Sequence, residues 1–131
     1  MSRRAASEVP MSELCDLTAV ELRRLIGAKQ ISPVELLASC RARIERVNGV
    51  VNAFVATCFE RAEAEARAAE RVVMAGDPLG ELHGLPVGIK DLALTEGLRT
   101  TFGSPQFTAF VPEADERQVA AVRRAGGIVV G

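Results

Sequence analysis

His83-Gly-Leu-Pro-Val-Gly-Ile-Lys-Asp91 is the stretch on which the fold turns. Pro86 to Ile89 is a short apolar run framed by Gly84, Pro86 and Gly88, with Lys90 at its end. Downstream, residues 114–125 read as a helix. Asp115 and Glu116 stand early in it and Arg123 and Arg124 late, the charge order that suits the helix dipole. Gly126-Gly127 stops the helix, and Ile128-Val129-Val130 is a second all-apolar run. An apolar strand, a helical crossover and another apolar strand describe a βαβ unit with parallel strands buried on both faces.

Working back toward the N-terminus, the pattern turns helical. Residues 1–12 carry little apolar periodicity and read as a flexible tail. Thr18-Ala-Val-Glu21 is a capping box that opens a helix ending near Gly27, with Leu22, Leu25 and Ile26 on its apolar face. Ser32-Pro33-Val34-Glu35 combines a second capping box with proline at the first helical position. Leu37, Cys40, Ile44 and Val47 then recur at helical spacing up to Asn48-Gly49, and an extended segment is expected around Phe54. Residues 57–75 give the clearest helix, with a stripe of Phe59, Ala62, Ala66, Ala69 and Val73 and a favourable Glu63–Arg67 pair. Gly76-Asp77-Pro78 ends it.

Composition excludes several classes. At 131 residues, 48% hydrophobic and 25% charged, this is at most one ordinary globular domain. The formal net charge is −1, with no basic face and no aromatic stacking motif, so nucleic-acid binding is not expected. No apolar run approaches membrane-spanning length, and Arg3-Arg4 is followed by no apolar signal region. Cys15, Cys40 and Cys58 form no ligand spacing with the single histidine, His83, so no metal site is expected. Cys40 and Cys58 read as small hydrophobes on apolar helical faces. An unpaired, scattered set of thiols suits a reducing compartment, which gives a cytoplasmic location.

Lys90, one of two lysines, carries the chemistry. A lysine at the C-terminal end of a buried parallel strand stands where α/β sheets place active sites, and burial favours its neutral, basic form. The alternative is a lysine that leaves the sheet for solvent or a carboxylate. Asp91 points to the opposite face if the strand continues. Thr100-Thr101-Phe102-Gly103-Ser104 brings hydroxyls near Lys90 in sequence, and Ser–Lys pairs are known nucleophilic units. Gly-Ser-Pro is also ordinary turn chemistry, and Ser104 is read as a turn residue. His83 has no Asp or Ser at triad spacing and is read as structural.

Taken together, Gly84-Leu-Pro-Val-Gly-Ile-Lys-Asp91, Gly97, Thr100-Thr101, Gly103-Ser104, Pro112, Asp115, Val119, Arg123 and Ala125-Gly126 resemble the N-terminal part of the amidase signature family. Ile31-Ser-Pro-Val-Glu35 and Val51-Asn-Ala-Phe54 are similar to that family's helical N-terminal region. The resemblance covers roughly residues 14–131. It implies an α/β fold with N-terminal helices and the first strands of a mixed, mostly parallel sheet covered by helices. It implies hydrolysis or transfer of a small-molecule amide by a Ser-cisSer-Lys unit with no metal or organic cofactor, and Lys90 as the lysine of that unit. The serine-rich signature follows the strand at Ile128 in that family, so no residue here takes the serine roles. A lysine base without its serine has nothing to activate. The chain is therefore expected to be the N-terminal part of one amidase domain, residues 13–131, inactive alone. The resemblance equally fits the glutaminase-type A subunit of a tRNA-dependent amidotransferase, and a non-catalytic binding or assembly module stands as the competing class. Apolar strands expect neighbours, so self-association or a complementing chain is expected of the isolated piece.

Overall fold

The computed structural model describes residues 11–131. The tail expected over residues 1–12 falls mostly outside them, and residues 11 and 12 already belong to a short 3-10 helix, Met11–Asp16. Four helices follow: α1, Ala19–Gly27; α2, Pro33–Val51; α3, Phe59–Ala75; and α4, Arg117–Arg124. Two strands, β1 (Pro86–Val87) and β2 (Ile128–Val129), pair in parallel with Pro86 opposite Ile128 and Val87 opposite Val129. α4 lies in the crossover between them, as the βαβ reading requires.

Both capping boxes form. The Glu21 amide donates to Thr18 Oγ1 (3.2 Å) and the Thr18 amide to Glu21 Oε2 (3.0 Å). The Ser32–Glu35 pair repeats this at 3.0 and 2.8 Å. Each box satisfies two amides that a helix start leaves without partners.

The end of α2 differs from expectation. The helix runs through Gly49 to Val51 and stops at Asn52, whose φ of 49° is left-handed. Glycine costs a helix only about 1 kcal/mol, and Asn48 is not a stop signal but a clamp. Its side chain holds both the amide and the carbonyl of Phe54. Phe54 consequently lies in no strand: its backbone partners are a side chain, not a ladder.

α4 is shorter than expected at its start. Asp115 and Glu116 precede the helix and serve the 94–96 loop instead. The Glu96 amide donates to Asp115 Oδ1 (2.8 Å) and the Leu94 amide to Glu116 Oε2 (2.9 Å). Asp115 also accepts from Arg123 Nε (2.8 Å), and Arg123 Nη1 reaches Glu65 on α3 (3.0 Å). A chain of charges thus fastens α4 and its approach to α3.

The core has a layer on each side of β2. Ile128 and Val130 pack with Leu37 of α2 and the Ala62, Ala66 and Ala69 stripe of α3. Val129, pointing the other way, packs with Val119 of α4 and Leu98. A third cluster joins Leu14, Leu22, Ile26, Leu36, Val73 and Leu85. β2 is buried on both faces, whereas β1 is half-buried, less than its apolar sequence led one to expect. The second edge of β2 is occupied by the chain entering α3: the Cys58 amide donates to the Val130 carbonyl at 3.0 Å. Cys58 stands at the N-cap of α3 and still packs on the core, against Leu98, Val119 and Val129, and its thiol donates to the Val129 carbonyl (3.3 Å). Cys40 does pack on the core, and burial pushes its thiol up to about 11.

Candidate functional site

Three backbone hydrogen bonds define where the sheet ends. Ile128 donates to the Leu85 carbonyl, Val130 to Val87, and Ile89 to Gly131. Beyond them the chain turns outward, and a cleft of about 430 Å³ opens at the C-terminal ends of both strands. Lys90, Asp91, Arg99 and Thr100 line it together with Phe54 and Gly131.

Lys90 is exposed at this cleft. The regular strand ends at Val87, so Lys90 does not stand inside apolar cover among the described residues. Within residues 11–131 the Lys90 side chain is open to the cleft. It takes no carboxylate with it: among the described residues Lys90 makes no ion pair or side-chain hydrogen bond.

Asp91 is turned to a different task. Its carboxylate accepts the Thr101 amide (2.7 Å) and the Thr101 hydroxyl, and its carbonyl accepts the Phe102 amide at 3.0 Å. The Thr101 hydroxyl above all, helped by the amide, holds the Asp91 carboxyl below the usual carboxylate range. This link ties the strand end carrying Lys90 to the 100–104 turn, where Phe102 takes a left-handed φ of 54°. Arg99 is fixed across the cleft by a 2.7 Å bond from Nη2 to the Val55 carbonyl. The Thr95 and Thr100 hydroxyls donate to carbonyls two residues back, Ala93 and Leu98, so each is held within its own loop.

The remaining candidates separate from this site. Ser104 caps the 3-10 helix Pro105–Phe107, accepting the Gln106 amide at 3.4 Å, the turn role expected of it. His83 is buried with Nε2 3.0 Å from the Ala69 carbonyl, a structural contact between α3 and the loop before β1. Among the described residues no His, Cys, Asp or Glu group has the arrangement of a metal site. The sequence reading missed Arg99, the Asp91–Thr101 link and the role of Asn48. It also missed that Phe102, Phe107 and Phe110 pack together, with ring centroids 5.1–6.1 Å apart. A lone helical Asn and scattered Phe give no local signal for partners set by loop closure.

The Amidase family model matches residues 35–131. The chain belongs to the amidase family. The A subunit of the glutamyl-tRNA(Gln) amidotransferase of Geobacter metallireducens is 43% identical over 119 residues, 91% of this chain and 24% of that protein. Its counterpart in Anaeromyxobacter dehalogenans is 39% identical over 122 residues, 93% of this chain and 25% of its own length. A bacterial aryl acylamidase of the amidase signature family superposes with a TM-score of 0.82 at 28% identity, over 88% of this chain and 24% of that one. This amidase chain thus spans about a quarter of the length of the relatives it matches, and within that quarter it keeps their α/β fold. No helix among the described residues of the amidase chain is long and apolar enough to cross a membrane.

Proposed function

We propose that the protein to which these residues belong cleaves a carbon–nitrogen amide bond, with Lys90 as the lysine of a Ser-cisSer-Lys unit. What carries the reading is Lys90 itself: in an amidase-family chain, it stands at the mouth of the cleft at the strand ends, with no competing partner among the described residues. There it accepts a proton through the bridging serine and so activates the nucleophilic serine. Neither serine nor the oxyanion-stabilising amides are assigned to any residue of this chain, and residues 1–131 alone are inactive. The substrate is a small-molecule amide, no metal or organic cofactor takes part, and the protein works in the cytoplasm.

A second reading is favoured by the names of the relatives at 39–43% identity: the glutaminase-type A subunit of a tRNA-dependent amidotransferase. The two readings share the lysine and differ in the fate of the ammonia. The test is ammonia release from L-glutamine and from benzamide by the complete polypeptide and its Lys90→Ala variant. Lys90→Ala should lower kcat by roughly a thousandfold or more. Release stimulated by a glutamyl-tRNA acceptor supports the second reading, and a Lys90→Ala variant with ordinary turnover sinks both.

A further inference from the structure

We infer that Phe54, held by Asn48, is a positioning residue for Lys90; the inference rests on the catalytic reading of that lysine. Four observations meet at one ring. The Phe54 amide donates to Asn48 Oδ1 (2.8 Å) and Asn48 Nδ2 donates to the Phe54 carbonyl (2.9 Å), so α2 fixes the backbone of a residue six positions away. The ring packs with the cluster of Leu37, Ala62, Ala66 and Ile128, which makes it an extension of the core.

The same ring fills the space left by two glycines at the strand ends. A Cβ on Gly88 would stand 3.2 Å from Phe54 Cζ, and one on Gly131 would stand 2.7 Å from Phe54 Cδ1 and 2.5 Å from the Ala56 carbonyl. Between those glycines runs the last hydrogen bond of the sheet, from the Ile89 amide to the Gly131 carbonyl at 2.8 Å. Lys90 is the next residue, and Phe54 lines the cleft beside it.

The physical consequence is a stop. Beyond Val87 no regular strand holds the chain, so the direction in which Lys90 leaves the sheet is set before it by the Ile89–Gly131 bond and the ring beneath, and after it by the Ala93 amide on the Lys90 carbonyl and the Asp91–Thr101 link. An exposed lysine has many rotamers, and a fixed backbone is what limits where its amine can reach. A displacement of about 1 Å at a proton-accepting group can cost roughly a hundredfold in rate. Asn48 and Phe54 therefore carry the geometry of α2 to the site without touching the reacting atoms.

The experiment compares the complete polypeptide with Phe54→Leu, Asn48→Ala, Gly88→Ala and the double variant Phe54→Leu/Gly88→Ala. Residue-resolved hydrogen exchange reads the clamp, and ammonia release from L-glutamine reads its effect. Phe54→Leu and Asn48→Ala should each lose protection at the Ile89 amide while α1 amides keep theirs. Each should lower kcat by about tenfold or more with KM within about twofold. Gly88→Ala crowds the ring and should lower kcat as well, yet add no further loss once the smaller leucine side chain at position 54 has made room, a coupling that a general loss of stability does not produce. Unchanged Ile89 exchange in both clamp variants, or fully additive losses in the double variant, overturns the inference. Turnover retained by Lys90→Ala refutes the catalytic reading instead, and the Ile89 exchange pattern still decides whether the clamp exists.

Discussion

Lys90 and Asp91 are adjacent in sequence and opposite in their surroundings. The lysine is exposed at the cleft, while the aspartate spends its carboxylate on Thr101. The difference follows from the strand ending early, which lets Asp91 turn toward the 100–104 loop. The pH dependence of that link has a definite sign. The Asp91 pKa is lower in the folded chain than the usual 3.8, so its contribution is fully present above that value. It is lost as pH falls through the range between the unfolded and folded values. Thr101→Val, which removes the hydroxyl donor, should cost about 1 kcal/mol near neutral pH, a charge-assisted bond discounted for partial exposure. The difference in Tm between the two proteins should shrink on acidification below about pH 4. A difference that stays constant down to about pH 2 would show that the carboxylate is not the acceptor that matters.

At the scale of elements, the informative group is the charged chain that links α3, α4 and the 94–96 loop. Arg123 is 15% exposed and its partners Asp115 and Glu65 are 11% and 31% exposed, whereas the Arg41–Glu45 pair on α2 is 39% and 56% exposed. Water screens the second pair far more than the first. Asp115→Ala should therefore cost about 2–3 kcal/mol, since it leaves a mostly buried guanidinium and the Glu96 amide short of an acceptor. Glu45→Ala should leave the denaturation midpoint nearly unchanged. Chemical denaturation of the two variants compares them directly, and equal losses contradict the burial argument. The same residues mark the limit of what sequence tells. Thr18-Ala-Val-Glu21 and Ser32-Pro-Val-Glu35 were legible because capping is local, and the α3 stripe and the βαβ order because periodicity is local. Asp115 and Glu116 carried the same first-turn signature but bind a loop well upstream in the chain. The position of Lys90 just past the strand end was legible from its frame of Gly and Pro. Asn48, Phe54 and Arg99 were not, because each acts through a tertiary contact that no spacing announces.

For the whole molecule, the question is which apolar surface remains uncovered. Strand edges were the expected liability, yet β2 has β1 on one side and Cys58 on the other, and β1 is two residues long and begins with proline. Short edges and proline are both poor templates for pairing with another chain. Among the exposed apolar residues, two phenylalanine rings are in contact with each other. Phe107 and Phe110 are 40% and 39% exposed, and both rings pack on Phe102 in the loop after Asp91. A cluster of exposed rings drives association more than a single exposed residue such as Val20, 80% exposed on α1. Replacing both rings, Phe107→Ser with Phe110→Ser, forgoes about 1–2 kcal/mol of burial per chain. The concentration at which the 131-residue chain self-associates should accordingly rise roughly tenfold, while Val20→Ser leaves it unchanged. Light scattering across a dilution series measures both. A chain that stays monomeric throughout, and melts in one sharp transition, would show that this aromatic loop is stable in water as it stands.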